Sequence, residues 1–85
     1  MATLHIYFFA THREAVGARE MTLQVEDGAT VGDVWETLRQ RYPKLRSTRP
    51  AAAVNQEYAE PDTRVHDGDE IAFIPPVSGG APMSP

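Results

Sequence analysis

Side chains that could perform catalysis are few in this 85-residue chain, and none has a spacing that supports it. The histidines at positions 5, 12 and 66 are not at metal-ligand spacing, so His5, His12 and His66 are each expected on the surface or on a strand face. The chain has no cysteine, which excludes thiol nucleophiles, disulfides and Cys-ligated metal centres. Ser78 lacks the Gly-x-Ser-x-Gly turn of a nucleophile elbow. The side chains therefore predict neither a catalytic site nor a bound cofactor.

The acidic stretch from Asp67 to Glu70 has the carboxylates of a calcium site, with Gly68 and Asp69 between them. The twelve-residue ligand pattern of an EF-hand is missing, however. Because Asp-Gly pairs favour tight turns, we interpret this stretch as a turn before a strand.

The main chain offers a different chemistry at Gly79-Gly80. Glycine has no Cβ, so an extended Gly-Gly segment can enter a narrow channel, and its backbone can approach a nucleotide phosphate closely. A carboxylate at such a terminus could be activated by another enzyme. The same dipeptide also suits a flexible linker, so by itself it leaves both interpretations open.

Charge is segregated along the chain, although the formal net charge of −4 argues against a nucleic-acid-binding domain. A basic run lies within residues 39–49 and an acidic run within residues 57–70. We interpret both runs as solvated surface, with docking of the acidic run onto a basic partner as the alternative. No segment approaches the ~20 apolar residues of a membrane span, and the N-terminus lacks signal-peptide features. A cytoplasmic protein that binds neither membranes nor nucleic acid is expected.

Four segments have the alternation or the β-branched and aromatic content of strands. They are residues 3–9, 21–25, 51–55 and 69–75. In the first segment Phe8 and Phe9 point to opposite faces. In the last, Ile71 and Phe73 share one face and Ile74 lies on the other.

The main helix is predicted to begin after Thr30 and to end before Pro43. Thr30 is the expected N-cap, and Asp33 places a carboxylate at the positive end of the helix. One buried stripe follows the helical period: Val31, Val34, Trp35, Leu38 and Tyr42. At this spacing Trp35 and Tyr42 are interpreted as core residues and not as a ligand platform.

These elements predict an α+β fold in which a mixed four- to five-stranded sheet packs on one main helix, most commonly the β-grasp arrangement. A short helical turn at residues 10–16, closed by Gly17, follows the first strand. The first and last strands are apolar on both faces, so we expect them to pair in parallel at the centre of the sheet. One domain over residues 1–80 and a short extension at residues 81–85 are predicted.

The sequence DGDEIAFIPPVSGG resembles the C-terminal signature of the MoaD/ThiS sulfur-carrier family, in its MoaD form. Upstream, IYFFATHREAVGA is similar to the family's first strand and helix, TVGDVWETL to its main helix, and AVNQEYA to its third strand and turn. The resemblance covers residues 3–80. It implies a ubiquitin-like β-grasp domain whose C-terminal glycine is the reactive group.

For the MoaD branch, the resemblance implies three partners. A MoeB-like enzyme uses ATP to adenylate the terminal carboxylate, and a sulfur-donor enzyme converts it to a thiocarboxylate. A MoaE-like large subunit then uses the sulfur to build molybdopterin. Gly80 would carry the thiocarboxylate and Gly79 would form the narrow neck, so the chain would be a non-catalytic subunit of molybdopterin synthase.

Partners of this family dock on the outer sheet face and on the tail. The matching positions here are Phe9, Tyr58, Ile74, Pro75, Pro76, Val77 and Ser78. Strand alternation independently places Phe9 and Ile74 opposite the helix-facing residues. The alternative is that each apolar residue of the sheet is an ordinary half-exposed side chain.

The extension from Ala81 to Pro85 departs from the family pattern, because the family's carriers usually end at the second glycine. Adenylation needs a free carboxylate on Gly80, so we expect a peptidase to cut after Gly80 and to remove Ala81 through Pro85. Pro82 hinders many nonspecific carboxypeptidases, which argues for a dedicated cut. The alternatives are that the extension is retained and the protein is inactive as a sulfur donor, or that it results from a misplaced stop codon.

Three other functions share these features. A MoaD-like carrier could serve another acceptor (cysteine, thiamine or tRNA thiolation), although the extended first helix favours MoaD over ThiS. A ubiquitin-like modifier would be conjugated to lysines of its targets through Gly80. A plain interaction module would use Gly79-Gly80 only as a linker.

Overall fold

The structure is a computed structural model, and it describes residues 1–46 and 49–75. Its elements, in chain order, are β1 (Ala2–Phe8), α1 (Ala10–Val16), β2 (Glu20–Val25), α2 (Val31–Arg41), a 3₁₀ turn (Pro43–Leu45), β3 (Ala51–Val54), β4 (Glu57–Ala59) and β5 (Glu70–Ile74). The longest helix in these two ranges, α2, has 11 residues, and none there is long and apolar enough to cross a membrane.

The five strands form one mixed sheet in the order β2-β1-β5-β3-β4. At its centre β1 and β5 run parallel, with Ile6 opposite Ile71 and Phe8 opposite Phe73. The other pairs (β1–β2, β3–β5 and β3–β4) are antiparallel. The predicted central parallel pair is therefore confirmed, as is the β-grasp arrangement of strands around one main helix.

The hydrophobic core lies between the sheet and α2. Alternate residues of β1 and β5 point into it, and Val31, Val34 and Leu38 of α2 are buried against them. Trp35 and Tyr42, also predicted for the buried stripe, are partly buried and pack against the same cluster. Its most buried strand side chains are Leu4, Ile6, Phe8, Ile71 and Phe73.

Helix α2 begins at a capping box. The hydroxyl of Thr30 accepts a hydrogen bond from the amide of Asp33 at 3.1 Å, and the Asp33 carboxylate accepts one from the amide of Thr30 at 3.0 Å. The reciprocal pair satisfies two amides that have no partner inside the helix. The helix ends before Tyr42, which is extended because Pro43 follows it. Both boundaries agree with the prediction.

Strand β4 is not among the four segments predicted as strands, and the third of these segments is predicted to extend through Asn55. The turn is in fact at Asn55 and Gln56, which both have positive φ angles (52° and 71°), and the chain returns beside β3. Three residues are too few to show a strand period, so the pattern could not distinguish β4 from a loop.

Candidate functional site

The outer face of the sheet, opposite α2, is the surface that the strand alternation singled out. Cα register places Tyr7 beside Ala72, Ala72 beside Ala53, and Ala53 beside Tyr58, so these four residues form one row across four strands. The first three are half-buried and Tyr58 is exposed. Since α1 and α2 pack on the opposite face, where His12 and Trp35 lie, this row has no helix over it in the part of the chain that is described.

Large apolar side chains are exposed in this row, at Tyr58, and beside it, at Phe9 and Ile74. Phe9 is 43% exposed, Ile74 is 38% exposed and Tyr58 is 85% exposed. Phe9 follows directly after Phe8, which pairs with Phe73, and Ile74 is the last residue of β5. Phe9 and Ile74 therefore lie at the same end of the central strand pair, and Tyr58 lies on the edge strand. We call Phe9, Tyr58 and Ile74 together the apolar patch; its role in docking stays a prediction.

The end of β5 determines where the reactive segment starts. Ile74 pairs with Ala51, and the following residue, Pro75, is half-buried and the last described residue of the chain. The C-terminal segment thus begins beside Phe9 and Ile74.

The remaining predicted site residues lie outside the described residues. They are Pro76, Val77, Ser78, Gly79 and Gly80. The predicted extension, Ala81 through Pro85, lies outside them too, so its removal after Gly80 stays a prediction.

The opposite end of the outer face is polar. The His5 Nε2 atom is 2.6 Å from a carboxylate oxygen of Glu20, and the His5 ring stacks on Tyr7 with centroids 4.8 Å apart. Partial desolvation, with smaller effects from the Glu70 and Glu20 carboxylates, raises the pKa of Tyr7 above its ordinary value of 10.0. Tyr7 therefore stays protonated at neutral pH and presents a hydroxyl donor to any molecule that covers this face.

His12 is buried, contrary to the expectation from the sequence. The sequence placed it on the surface or on a strand face, but it lies in α1 and is 1% exposed, and its ring lies 5.1 Å from that of Trp35. Burial lowers the pKa of His12 below 6.5, and a hydrogen bond with the backbone of Phe73 acts in the opposite direction. The imidazole is therefore neutral at pH 7 and ties α1 to β5. Helix α1 has only seven residues, too few for a helical period to reveal its buried side.

The acidic stretch before β5 is a turn, as predicted. Gly68 has a φ of 88°, a conformation that glycine adopts without strain. The Asp67 carboxylate accepts a hydrogen bond from the amide of Thr3, and the Asp69 carboxylate accepts one from the amide of His66, both at 2.8 Å. These carboxylates therefore fix the turn to β1 and close it. Within the two described ranges no group of three or more potential ligands could hold a metal ion.

Curated relatives cover nearly the whole chain. The "molybdopterin synthase sulfur carrier subunit" of Mycobacterium tuberculosis is 40% identical over 83 residues, which are 94% of this chain and 100% of that protein. The protein of the same name from Chlamydomonas reinhardtii is 38% identical over 81 residues, 91% of this chain and 98% of that one. "Small archaeal modifier protein 3" of Haloferax volcanii is 37% identical over 90 residues, covering 91% of this chain and 98% of the relative.

Solved structures share the fold. The "putative molybdopterin converting factor, subunit 1" from Pyrococcus furiosus superposes with a TM-score of 0.85 at 26% identity, over 91% of this chain and 100% of that one. Subunit 1 of the molybdopterin-converting factor of Helicobacter pylori, solved in complex with subunit 2, has a TM-score of 0.63 at 21% identity, over 92% of this chain and 99% of its own length. At that identity the second comparison shows the fold alone.

The profile of the ThiS family matches residues 6–80, from within β1 through the Gly79-Gly80 pair. The match spans most of the chain and agrees with the resemblance of its C-terminal motif. Relatives at 37–40% identity over nine-tenths of the chain point the same way. The chain therefore belongs to the ThiS family.

Proposed function

We propose that this chain is the sulfur-carrier subunit of a molybdopterin synthase. In this role Gly80 carries the thiocarboxylate, and Gly79 supplies the backbone that fits a narrow channel. The observation that carries the proposal is the parallel pairing of β5 with β1, which starts the C-terminal segment beside the exposed Phe9 and Ile74. The two relatives named as molybdopterin synthase sulfur carrier subunits support the assignment.

The resemblance to the MoaD branch implies how the chemistry is divided between the chain and its partners. A MoeB-like enzyme would use ATP to adenylate the Gly80 carboxylate, and a sulfur-donor enzyme would replace the adenylate with sulfur. A MoaE-like large subunit would then position the thiocarboxylate and stabilise developing charge. The carrier itself would provide the surface that the partners bind and the C-terminal segment that brings Gly80 to the reaction centre.

Docking would use the apolar patch together with the segment that follows it. Phe9, Tyr58 and Ile74 would become buried against the partner, which releases water from apolar surface. The segment after β5 would extend into the partner. Pro75 and Pro76 restrict the backbone as it leaves the sheet, and Val77 and Ser78 would lie at the entrance to the partner's channel. Gly79 and Gly80 would then reach the reaction centre.

A free carboxylate on Gly80 requires the peptide bond to Ala81 to be broken. We therefore include cleavage by a peptidase after Gly80, which leaves a carrier domain of residues 1–80 and releases the extension from Ala81 to Pro85. The extension would act as a cap that keeps the carrier inactive until it is cut.

The test is the intact mass of the untagged protein isolated from its own cells. A species that ends at Gly80 and has gained the mass difference between sulfur and oxygen is the expected result. If only chains that retain the extension to Pro85 are found in cells that make molybdopterin, the processed carrier is refuted. As a functional control, a chain ending at Gly80 should accept AMP from a MoeB-like enzyme, whereas the same chain with Gly80→Leu should not.

A second candidate is a ubiquitin-like modifier, which the similarity to small archaeal modifier protein 3 favours. Such a protein would be joined through Gly80 to lysine side chains of its targets. Digested proteomes from the same cells would then contain lysines that bear Gly-Gly remnants, and these would disappear when the gene is deleted. A carrier for cysteine, thiamine or tRNA thiolation would instead leave molybdopterin unchanged on deletion.

A further inference from the structure

A groove on the helix side of the molecule is separate from the outer face of the sheet. It has a volume of about 390 Å³ and lies between α2 and the β3–β4 edge. Its apolar lining includes Val31, Trp35, Pro50, Ala52 and Phe73. The Trp35 ring lies 4.9 Å from the Phe73 ring, so the two aromatic side chains form a continuous apolar wall. A partly buried aromatic wall in a concave surface is suited to hold an apolar side chain.

Two guanidinium groups line the same groove. Arg39 comes from the last turn of α2, and Arg49 precedes β3. Arg39 donates to Glu36 at 2.8 Å through one terminal nitrogen, but its Nε atom is buried and has no hydrogen-bond partner among residues 1–46 and 49–75. None of the groove-lining residues is acidic. The groove therefore combines an apolar wall with positive charge from two guanidinium groups, of which Arg39 also contacts Glu36.

We infer that this groove binds an acidic segment of a partner protein. One aromatic or aliphatic side chain of that segment packs against Trp35 and Phe73, and neighbouring carboxylates pair with Arg39 and Arg49. Guanidinium groups suit this role because their planar set of donors matches a carboxylate. This inference does not depend on the proposed role in sulfur transfer, since a modifier or a carrier for another acceptor would have the same groove.

The chain's own C-terminal segment fits this groove less well. Residues 76–85 include apolar side chains, at Val77 and Met83, but no acidic one, so none of their side chains could form an ion pair with either guanidinium group. The groove and the outer face of the sheet meet at the edge strand, where the exposed Tyr58 borders both surfaces. A partner docked on the apolar patch could therefore extend an acidic segment around the edge strand.

The chain contains one tryptophan, so Trp35 fluorescence reports occupation of the groove directly. The probe is a blocked pentapeptide of sequence DEFDL, titrated into the full chain, with NQFNL as the uncharged control. Expected results are saturable quenching or a spectral shift with DEFDL, at least fivefold weaker binding of NQFNL, and NMR shifts centred on Trp35 and Ala52. A double variant, Arg39→Gln with Arg49→Gln, should weaken DEFDL binding about threefold to tenfold.

The matched control is Arg41→Gln with Lys44→Gln, which removes the same charge from the same basic run outside the groove. Equal loss of binding in both double variants would show attraction by net charge alone and would overturn the inference. So would a lack of DEFDL binding to the correctly folded chain. NMR contacts between the Met83 or Val77 methyl groups and the Trp35 ring in the unbound chain would also overturn it, because they would identify the chain's own segment as the occupant.

Discussion

The apolar patch allows a quantitative prediction about partner binding. Replacing Phe9 and Ile74 together by alanine removes the side chains that are 43% and 38% exposed at the end of the central strand pair. Full burial of such a side chain is worth roughly 1.5–3 kcal/mol, so burying the exposed fractions contributes about 0.6–1.3 kcal/mol for Phe9 and about 0.6–1.1 kcal/mol for Ile74. The two together correspond to a loss of affinity of roughly 7- to 50-fold.

The assay is isothermal titration calorimetry of the wild type and the double variant with the MoaE-like large subunit of the same organism. Gln40→Ala, on the exposed side of α2, is the control and should leave the affinity unchanged. Urea denaturation should first show that the double variant is folded. If the folded variant then binds within twofold of the wild type, the patch is not the docking surface and the argument from exposure fails.

Two further predictions concern the parts of the fold that hold this surface. Because burial lowers the pKa of His12 in the folded state, the unfolded chain binds the extra proton first, and the free energy of unfolding should fall as pH drops below 6.5. His12 can contribute at most about 1.4 kcal/mol per pH unit to that slope. The free energy of unfolding is measured by urea denaturation between pH 4.5 and 7.5. In this range His12→Leu should remove the contribution of His12, whereas the control His66→Leu, at an exposed position, should not. If the free energy of unfolding depends on pH identically in the wild type and in His12→Leu, the prediction is wrong. Thr30→Ala removes the helix cap and should cost about 1 kcal/mol, or a fall in Tm of roughly 4–8 °C by calorimetry. Thr37→Ala should stay within about 0.5 kcal/mol of wild type, because the Thr37 hydroxyl donates to the Asp33 carbonyl within its own helix and does not cap it. Equal Tm changes for the two variants would refute the capping argument.

Much of the architecture was predictable because it follows from local chemistry. Thr30 and Asp33 determine the start of α2, since they form a capping box without help from distant residues. Pro43 determines its end, because a proline restricts the residue before it. The alternation in β5 separates the buried Ile71 and Phe73 from the exposed Ile74, and the structure shows the same separation.

The features that were missed either are too short to show a sequence pattern or depend on contacts between segments far apart in the sequence. Strand β4 exists because the turn at Asn55 brings Tyr58 back against Ala53, and three residues carry too little pattern to predict it. His12 is polar in a seven-residue helix, and only the packing of that helix beside Trp35 and Phe73 buries it.

The sequence by itself determined the fold class, the main helix and the identity of the segment that could carry chemistry, because periodicity, caps and the C-terminal motif are local. Tertiary structure decided which surfaces are formed. It placed Phe9, Tyr58 and Ile74 on one uncovered face and brought Trp35, Arg49 and Phe73 to one groove. The physical reason is that a surface is made by strand order and helix packing, which join residues that no local pattern connects.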